Sequence, residues 1–229
     1  MDRDKLKASF GRFMRAMADL LLLNILTLLC SLPIITIGPS LCALFSITLK
    51  IARDEPVETI RGFFFALKKN FFQGMILGAI AVFAAVVIFA DGVYAFSLTG
   101  TAKIVFCIVT GIIGAIWLIY VCYVFALQAR FENDVRSQIK NAFLLAFVSP
   151  GKTVLMWVIL AIPVLLFLYL PAYVVAHIGV IYLMFGVSLP AYCISRILRD
   201  IFDRFNPEVP EETGDPDAWP DQKPPEDKA

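Results

Sequence analysis

The sequence predicts an all-α membrane protein of about six transmembrane helices arranged as three hairpins. Three observations predict it. The first is composition: of 229 residues, 59% are apolar and only 17% charged, with a mean hydropathy of +0.79. Water-soluble domains hold a larger charged fraction, and a chain this small cannot enclose so much apolar surface in its own core. The second is that the apolar residues lie in long continuous runs, at about 18–52, 72–93, 103–128 and 153–195, without the alternation of barrel strands. Helices satisfy every backbone N–H and C=O within the segment, which hydrocarbon requires. The third is the placement of positive charge, which counts the spans.

The first run breaks at Gly38-Pro39, as one long segment or as two arms, 18–36 and 40–53. The positive-inside rule decides for two. With a hairpin there, Arg3, Lys5, Lys7, Arg12 and Arg15 share a side with Lys50, Arg53, Arg61, Lys68 and Lys69. Counting on through spans 72–92, 103–128, 153–170 and 174–195 adds Arg130, Arg136, Lys140, Lys152, Arg196, Arg199, Arg204, Lys223 and Lys228. Nineteen of the 20 basic residues then lie on the cytoplasmic side, with Lys103 alone outside. A single first span would move five of them across. The second arm, roughly 14 residues, is short and thins the bilayer or tilts little. The last run is split in two by Pro171, flanked by the interfacial residues Tyr169, Tyr173 and His177. Both chain ends are expected in the cytoplasm, at the plasma or inner membrane. The basic-then-apolar start resembles a signal peptide, but its long apolar run without a small-residue cleavage site is expected to be retained.

Between the hairpins, Ile60-Arg61 leads into Phe63-Phe64-Phe65-Ala66 and Ile139-Lys140 into Ala142-Phe143-Leu144-Leu145. Both predict amphipathic helices in the cytoplasmic interface, as does Phe10, Phe13, Met14 and Met17 near the start. A loose repeat of two spans and one interfacial helix fits, as does the plain need for connectors. Residues 1–205 hold 18 Lys+Arg against 11 Asp+Glu, a net +7, whereas 206–229 hold 2 against 8, a net −6. That last segment has six prolines and almost no aliphatic residues, the composition of a disordered acidic tail.

Chemistry-bearing residues are sparse. Asp19 and Asn24 are the candidate intramembrane polar residues. Asp19 lies near the cytoplasmic edge of the first span, where pairing with an arginine is the expected structural role and a proton or ion site the alternative. Asp91 fits a helix end, and His177, the only histidine, has neither co-ligands nor a nucleophile beside it. Cys30, Cys42, Cys107, Cys122 and Cys193 all fall in apolar runs without metal or redox spacing, as packing residues do. Ser31-Leu32-Pro33 and Ser188-Leu189-Pro190 place prolines within spans, as kinks or as linings of a path. Gly74-x-x-x-Gly78 has the spacing for close helix approach. The sequence shows no phosphate-cradling, zinc-protease or serine-hydrolase motif, no cofactor site and no nucleic-acid module. Its basic residues fit topology and anionic lipid.

Several stretches in order carry a family resemblance: Phe10-Gly11-Arg12-Phe13-Met14, Asp19-Leu20-Leu21, Leu23-Asn24 and Cys30-Ser31-Leu32-Pro33-Ile34-Ile35-Thr36-Ile37-Gly38-Pro39. Arg53-Asp54-Glu55, Phe64-x-Ala66-x-Lys68-x-Asn70-Phe71, Ala129-Arg130-Phe131-Glu132-Asn133, Lys140-Asn141-Ala142, Ser188-Leu189-Pro190-Ala191-Tyr192 and Ile201-Phe202-Asp203 continue it. Over about residues 8–205 the chain resembles the YesL-like bacterial integral membrane proteins (domain of unknown function 624); the acidic tail is outside the pattern. The resemblance implies an inner-membrane protein of unestablished activity, encoded beside carbohydrate ABC transporters and two-component regulators, and it carries over no catalytic or ligand residue. The expectation is a non-enzymatic accessory component of carbohydrate ABC uptake or its sensing, in contact with the bilayer and with a permease or sensor kinase; self-association is left open. Arg61, Lys68, Lys69, Arg130, Glu132, Asn133 and Lys140 are the candidate contacts. The segment after Lys140 lacks the Glu-Ala-Ala…Gly motif with which an ABC permease meets its ATPase. The alternative is a small-solute transporter or channel lined by Asn24 and the Ser-Leu-Pro kinks.

Overall fold

The structure is a computed structural model that describes residues 3–131, 133–169, 179 and 182–205. Its regular elements are all helical: α1 (Arg3–Cys30), a 3-10 turn (Ile34–Thr36), α2 (Ile37–Ala52), α3 (Thr59–Lys69), α4 (Phe71–Ser97), α5 (Gly100–Arg130), α6 (Val135–Val148), α7 (Pro150–Tyr169) and α8 (Ser188–Phe205). Four segments, Phe13–Cys30, Ile34–Ala52, Phe71–Ala95 and Gly100–Arg130, are long and apolar enough to cross a bilayer, and a fifth joins them if the bent α6–α7 pair counts as one span. This is a membrane protein.

Local chemistry sets the breaks. α1 stops at Ser31-Leu32-Pro33, because proline has no N–H to donate and disfavours the helical conformation of the residue before it. Thr36 Oγ1 lies 2.5 Å from the Cys30 carbonyl oxygen and 2.8 Å from that of Pro33, so its proton serves the carbonyls left open there. Pro39 sits in the first turn of α2, where a missing N–H is harmless. α2 ends at Arg53, and Asp54 turns the chain out at φ 60°, a conformation that aspartate tolerates better than most residues. α6 and the start of α7 meet at 104° across Ser149-Pro150, so the two cannot both run along one span axis.

α2 is the hub. Its segment Ile34–Ala52 is 61% buried, against 17% for Phe71–Ala95, and it packs on α1, α3, α4, α5 and α8. The closest approach is glycine on glycine. A Cβ on Gly38 would overlap the Gly74 carbonyl oxygen, and one on Gly78 would stand 2.7 Å from Gly38 Cα. The Gly74-x-x-x-Gly78 motif therefore holds α4 against the N-terminus of α2 within one chain. By contrast Phe83, Phe89, Ile104, Ile108 and Ile112 on α4 and α5 are more than half exposed, a continuous apolar wall of the kind that lipid covers.

The expected spans 72–92 and 103–128 lie inside α4 and α5. Of the expected span 174–195, residues 174–178 (His177 among them), 180 and 181 lie outside the described residues, as do Pro171, Tyr173 and the tail 206–229, and the described part is interrupted by a turn at Gly186-Val187. Its described end differs from expectation: the helix does not stop at Arg196 but runs on to Phe205 as amphipathic α8. Ala191, Ile194, Leu198, Ile201 and Phe202 form its buried stripe, which is why the arginines do not end it.

Candidate functional site

Two polar regions stand out against this apolar background. The first lies where the C-terminal ends of α2 and α8 meet the start of α7. Arg53 has a largely buried side chain that pairs with Asp203 at 2.5 Å and with Glu55 at 3.9 Å. Arg199 donates to the Ala52 carbonyl at 2.7 Å and lies 3.5 Å from Asp200, which also meets Lys152 at 3.7 Å. Arg53, Glu55, Arg199, Asp200 and Asp203 line an open cleft of about 500 Å³. Arg53–Asp203 and Lys152–Asp200 cross from α2 and α7 to α8, while Arg199–Asp200 lies within α8, so these partly exposed pairs tie the three helix ends together modestly. Among the described residues no three His, Cys, Asp or Glu side chains gather as metal ligands.

The second region is a set of buried ties between helices. Asn24, fully buried on α1, reaches the break that precedes α8. Its Nδ2 donates to the Leu183 carbonyl at 2.7 Å, and its Oδ1 accepts from the N–H groups of Val187 (2.9 Å) and Ser188 (3.1 Å). The side chain thus caps α8 from a different helix and satisfies backbone groups that hydrocarbon would leave bare. Thr48 of α2 meets Ser195 of α8 at 2.8 Å. Tyr120 donates to the Leu77 carbonyl and Trp117 to that of Ala81, each at 2.9 Å, joining α5 to α4. Gln128 Nε2 bridges Asn70 (3.0 Å) and Gln73 (2.6 Å) at the same end as Arg130.

The expected site residues separate accordingly. Asn24 and Ser188-Leu189-Pro190, expected together as linings of a path, meet as a clamp in which the amide oxygen accepts from backbone N–H groups and the amide nitrogen donates to a carbonyl. Asp19 accepts from Thr59 Oγ1 at 2.6 Å; among the described residues its partner is this α3 threonine rather than an arginine. Arg61, Lys68, Lys69 and Lys140 are exposed, and Asn133 is half-buried. Arg130 is half-buried too, its guanidinium 5.6 Å from the Phe131 ring centre and 6.0 Å from that of Phe202. Glu132 lies outside the described residues. Sequence reasoning passed over the Arg53–Asp203 lock, although Arg53-Asp54-Glu55 and Ile201-Phe202-Asp203 were both among the resembling stretches.

The family model described as "Protein of unknown function, DUF624" matches residues 20–92. The "Uncharacterized protein YesL" of Bacillus subtilis (strain 168) is 31% identical over 153 residues, covering 64% of this chain and 69% of the relative. The chain belongs to the YesL-like DUF624 family. No solved structure matches it. In this YesL-like protein the matched stretch 20–92 runs from the buried half of α1 to near the end of α4. It therefore contains Asn24, the Gly38–Gly74–Gly78 contact and Arg53, while the backbone groups that Asn24 holds and the Asp203 partner of Arg53 lie more than 90 residues beyond it, around α8.

Proposed function

We propose that this YesL-like protein is a non-enzymatic accessory component of the bacterial inner membrane, which associates with a carbohydrate ABC permease or the sensor kinase of such a system. In this reading six spans pair as three hairpins, both chain ends are cytoplasmic, and the basic helix ends face the cytoplasm. The observation that carries it is α6. One face, with Gln138, Ala142, Leu145 and Ala146, is buried on the bundle, while Arg136, Lys140, Leu144, Phe147 and Val148 stand exposed. The 104° turn at Ser149-Pro150 swings this helix away from the axis of α7, so α6 lies across the basic end with a cationic half and an apolar half on offer. Arginine and phenylalanine are favoured at protein interfaces. The link to carbohydrate uptake rests on the gene neighbourhood of the family, an association rather than a contact.

A transporter or channel is the weaker reading. Asn24 is the fully buried amide at mid-span, and each of its groups is already bonded to backbone. A hydrophilic solute needs free hydrogen-bonding groups along its path.

The test is purification of the tagged protein from its native membrane in mild detergent, with mass spectrometry of co-purifying chains. A stoichiometric sugar permease or sensor kinase, lost in an Arg136→Glu/Lys140→Glu variant that still folds, supports the reading. Protein that purifies alone, together with saturable solute uptake in reconstituted vesicles, sinks it.

A further inference from the structure

α3 presents a different surface from α6. Phe63, Ala66 and Thr59 face inward, and Thr59 holds Asp19 of α1. The opposite side exposes Phe64 (48%), Phe65, Lys68 and Lys69. At Asn70 (φ −96°, ψ 14°) the chain passes from α3 into α4: the Asn70 N–H closes α3 on the Ala66 carbonyl (3.0 Å), and the Asn70 carbonyl opens α4 by accepting from Gly74 N–H (2.8 Å). Phe72, 75% exposed, stands in the first turn of α4, just past this break. Phe64 and Lys68, four residues apart on α3, share one face where a ring stands beside an ammonium group, and no carboxylate occurs from Arg61 to Phe72.

We infer that this face of α3 and the first turn of α4 is a docking surface for anionic phospholipid. The rings sit at the boundary between headgroups and acyl chains, and Lys68 and Lys69 extend to the phosphates. Charge and ring together select this occupant. A protein interface is depleted in lysine at its core, whereas an interfacial helix carries lysine beside phenylalanine. The acidic segment 206–229 offers charge complementarity, but its only large apolar residues are Val209 and Trp219, too few to cover three phenyl rings. Phe10, Phe13 and Met14 of α1 are exposed as well. The inference rests on the membrane-spanning reading and assigns α3 to lipid, leaving α6 for the protein partner.

The experiment places a benzophenone amino acid at Phe64 or, as a control inside the apolar wall, at Ile108. The full chain is reconstituted in phosphatidylcholine vesicles containing a minority of phosphatidylglycerol, and the adducts are identified by mass spectrometry. Lipid adducts at position 64, enriched in phosphatidylglycerol over its bulk share, are the expected result. Near an anionic surface each lysine contributes roughly a fivefold preference. Lys68→Gln/Lys69→Gln should therefore cut the enrichment at least about fivefold while total lipid adducts persist. Lipid adducts at 108 but none at 64, or phosphatidylglycerol at its bulk share in both backgrounds, overturns the inference alone. An adduct from 64 to the 206–229 segment, or in native membranes to another protein, overturns it as well. Absence of lipid adducts at both positions overturns the membrane-spanning reading with it.

Discussion

Replacing Asn24 by leucine tests whether the break before α8 is a held structural joint. Leucine matches asparagine in the number and branching of its side-chain atoms, so the change deletes hydrogen bonds without opening a cavity, and its bulkier methyl groups add crowding to the loss. Three backbone groups lose their partner together: the Leu183 carbonyl and the N–H groups of Val187 and Ser188. A buried polar group without a partner costs about 1–3 kcal/mol, while interhelical hydrogen bonds inside bilayers average nearer 0.6 kcal/mol. Three groups at those limits bracket the loss at about 2 to 9 kcal/mol, a large share of a marginal stability. The assay is unfolding in mixed micelles on titration with a denaturing detergent, followed by circular dichroism. Ser188→Ala is the control, since the Ser188 hydroxyl is buried without a hydrogen-bond partner and only its backbone N–H meets Asn24. It should be neutral or somewhat stabilising, because it removes a buried hydroxyl that has no partner. An Asn24→Leu protein as stable as Ser188→Ala would refute the clamp.

Gly38→Ala drives a methyl group into the backbone of α4 at Gly74 and Gly78, and should cost at least the ~1–3 kcal/mol usual for overpacking, read from the same titration. Gly114→Ala meets nothing within 4 Å and should be neutral or stabilise by up to about 1 kcal/mol through helix propensity. In detergent solution a maleimide should modify exposed Cys107 well before Cys42 and Cys122, which are almost fully enclosed. Peptide mapping after brief labelling reads the order, and early labelling of Cys42 would contradict its place in the hub.

The helical membrane class was legible because it depends on apolar content and run length, which composition reports directly. The first break was legible only in part: Ser31-Leu32-Pro33, expected as a kink within span 18–36, ends α1, whereas Gly38-Pro39, expected as the break, lies in the first turn of α2, where the missing N–H of proline is harmless. Partnership was not. Asn24 lies 164 residues from Ser188, and Arg53 lies 150 from Asp203. No local periodicity records which buried amide answers which broken helix. Arg196 misled for a physical reason: a charge at a helix surface ends a span only if the next turn faces lipid. Here Leu198, Ile201 and Phe202 continue a buried stripe, so the charges of the last turns face away from it.

The contact between Thr48 and Ser195 offers a directional test of how α8 is held. Thr48 Oγ1 lies 3.0 Å from the Leu44 carbonyl oxygen of its own helix and 2.8 Å from Ser195 Oγ. A threonine hydroxyl has one proton, and back-bonding to residue i−4 uses it, so Ser195 is the donor across the interface. The two deletions are therefore unequal. Ser195→Ala removes the donor and leaves Thr48 bonded within α2, at a cost of about 0.5–1 kcal/mol. Thr48→Val keeps the volume but strips Ser195 of its acceptor in a site where both residues are fully buried, which costs about 1–3 kcal/mol. The double variant Thr48→Val/Ser195→Ala has no orphaned hydroxyl and should be more stable than Thr48→Val alone. Strict additivity of the two single losses would show that the contact contributes nothing. A larger loss from Ser195→Ala than from Thr48→Val would reverse the direction of the proton and leave the Leu44 carbonyl to its helix.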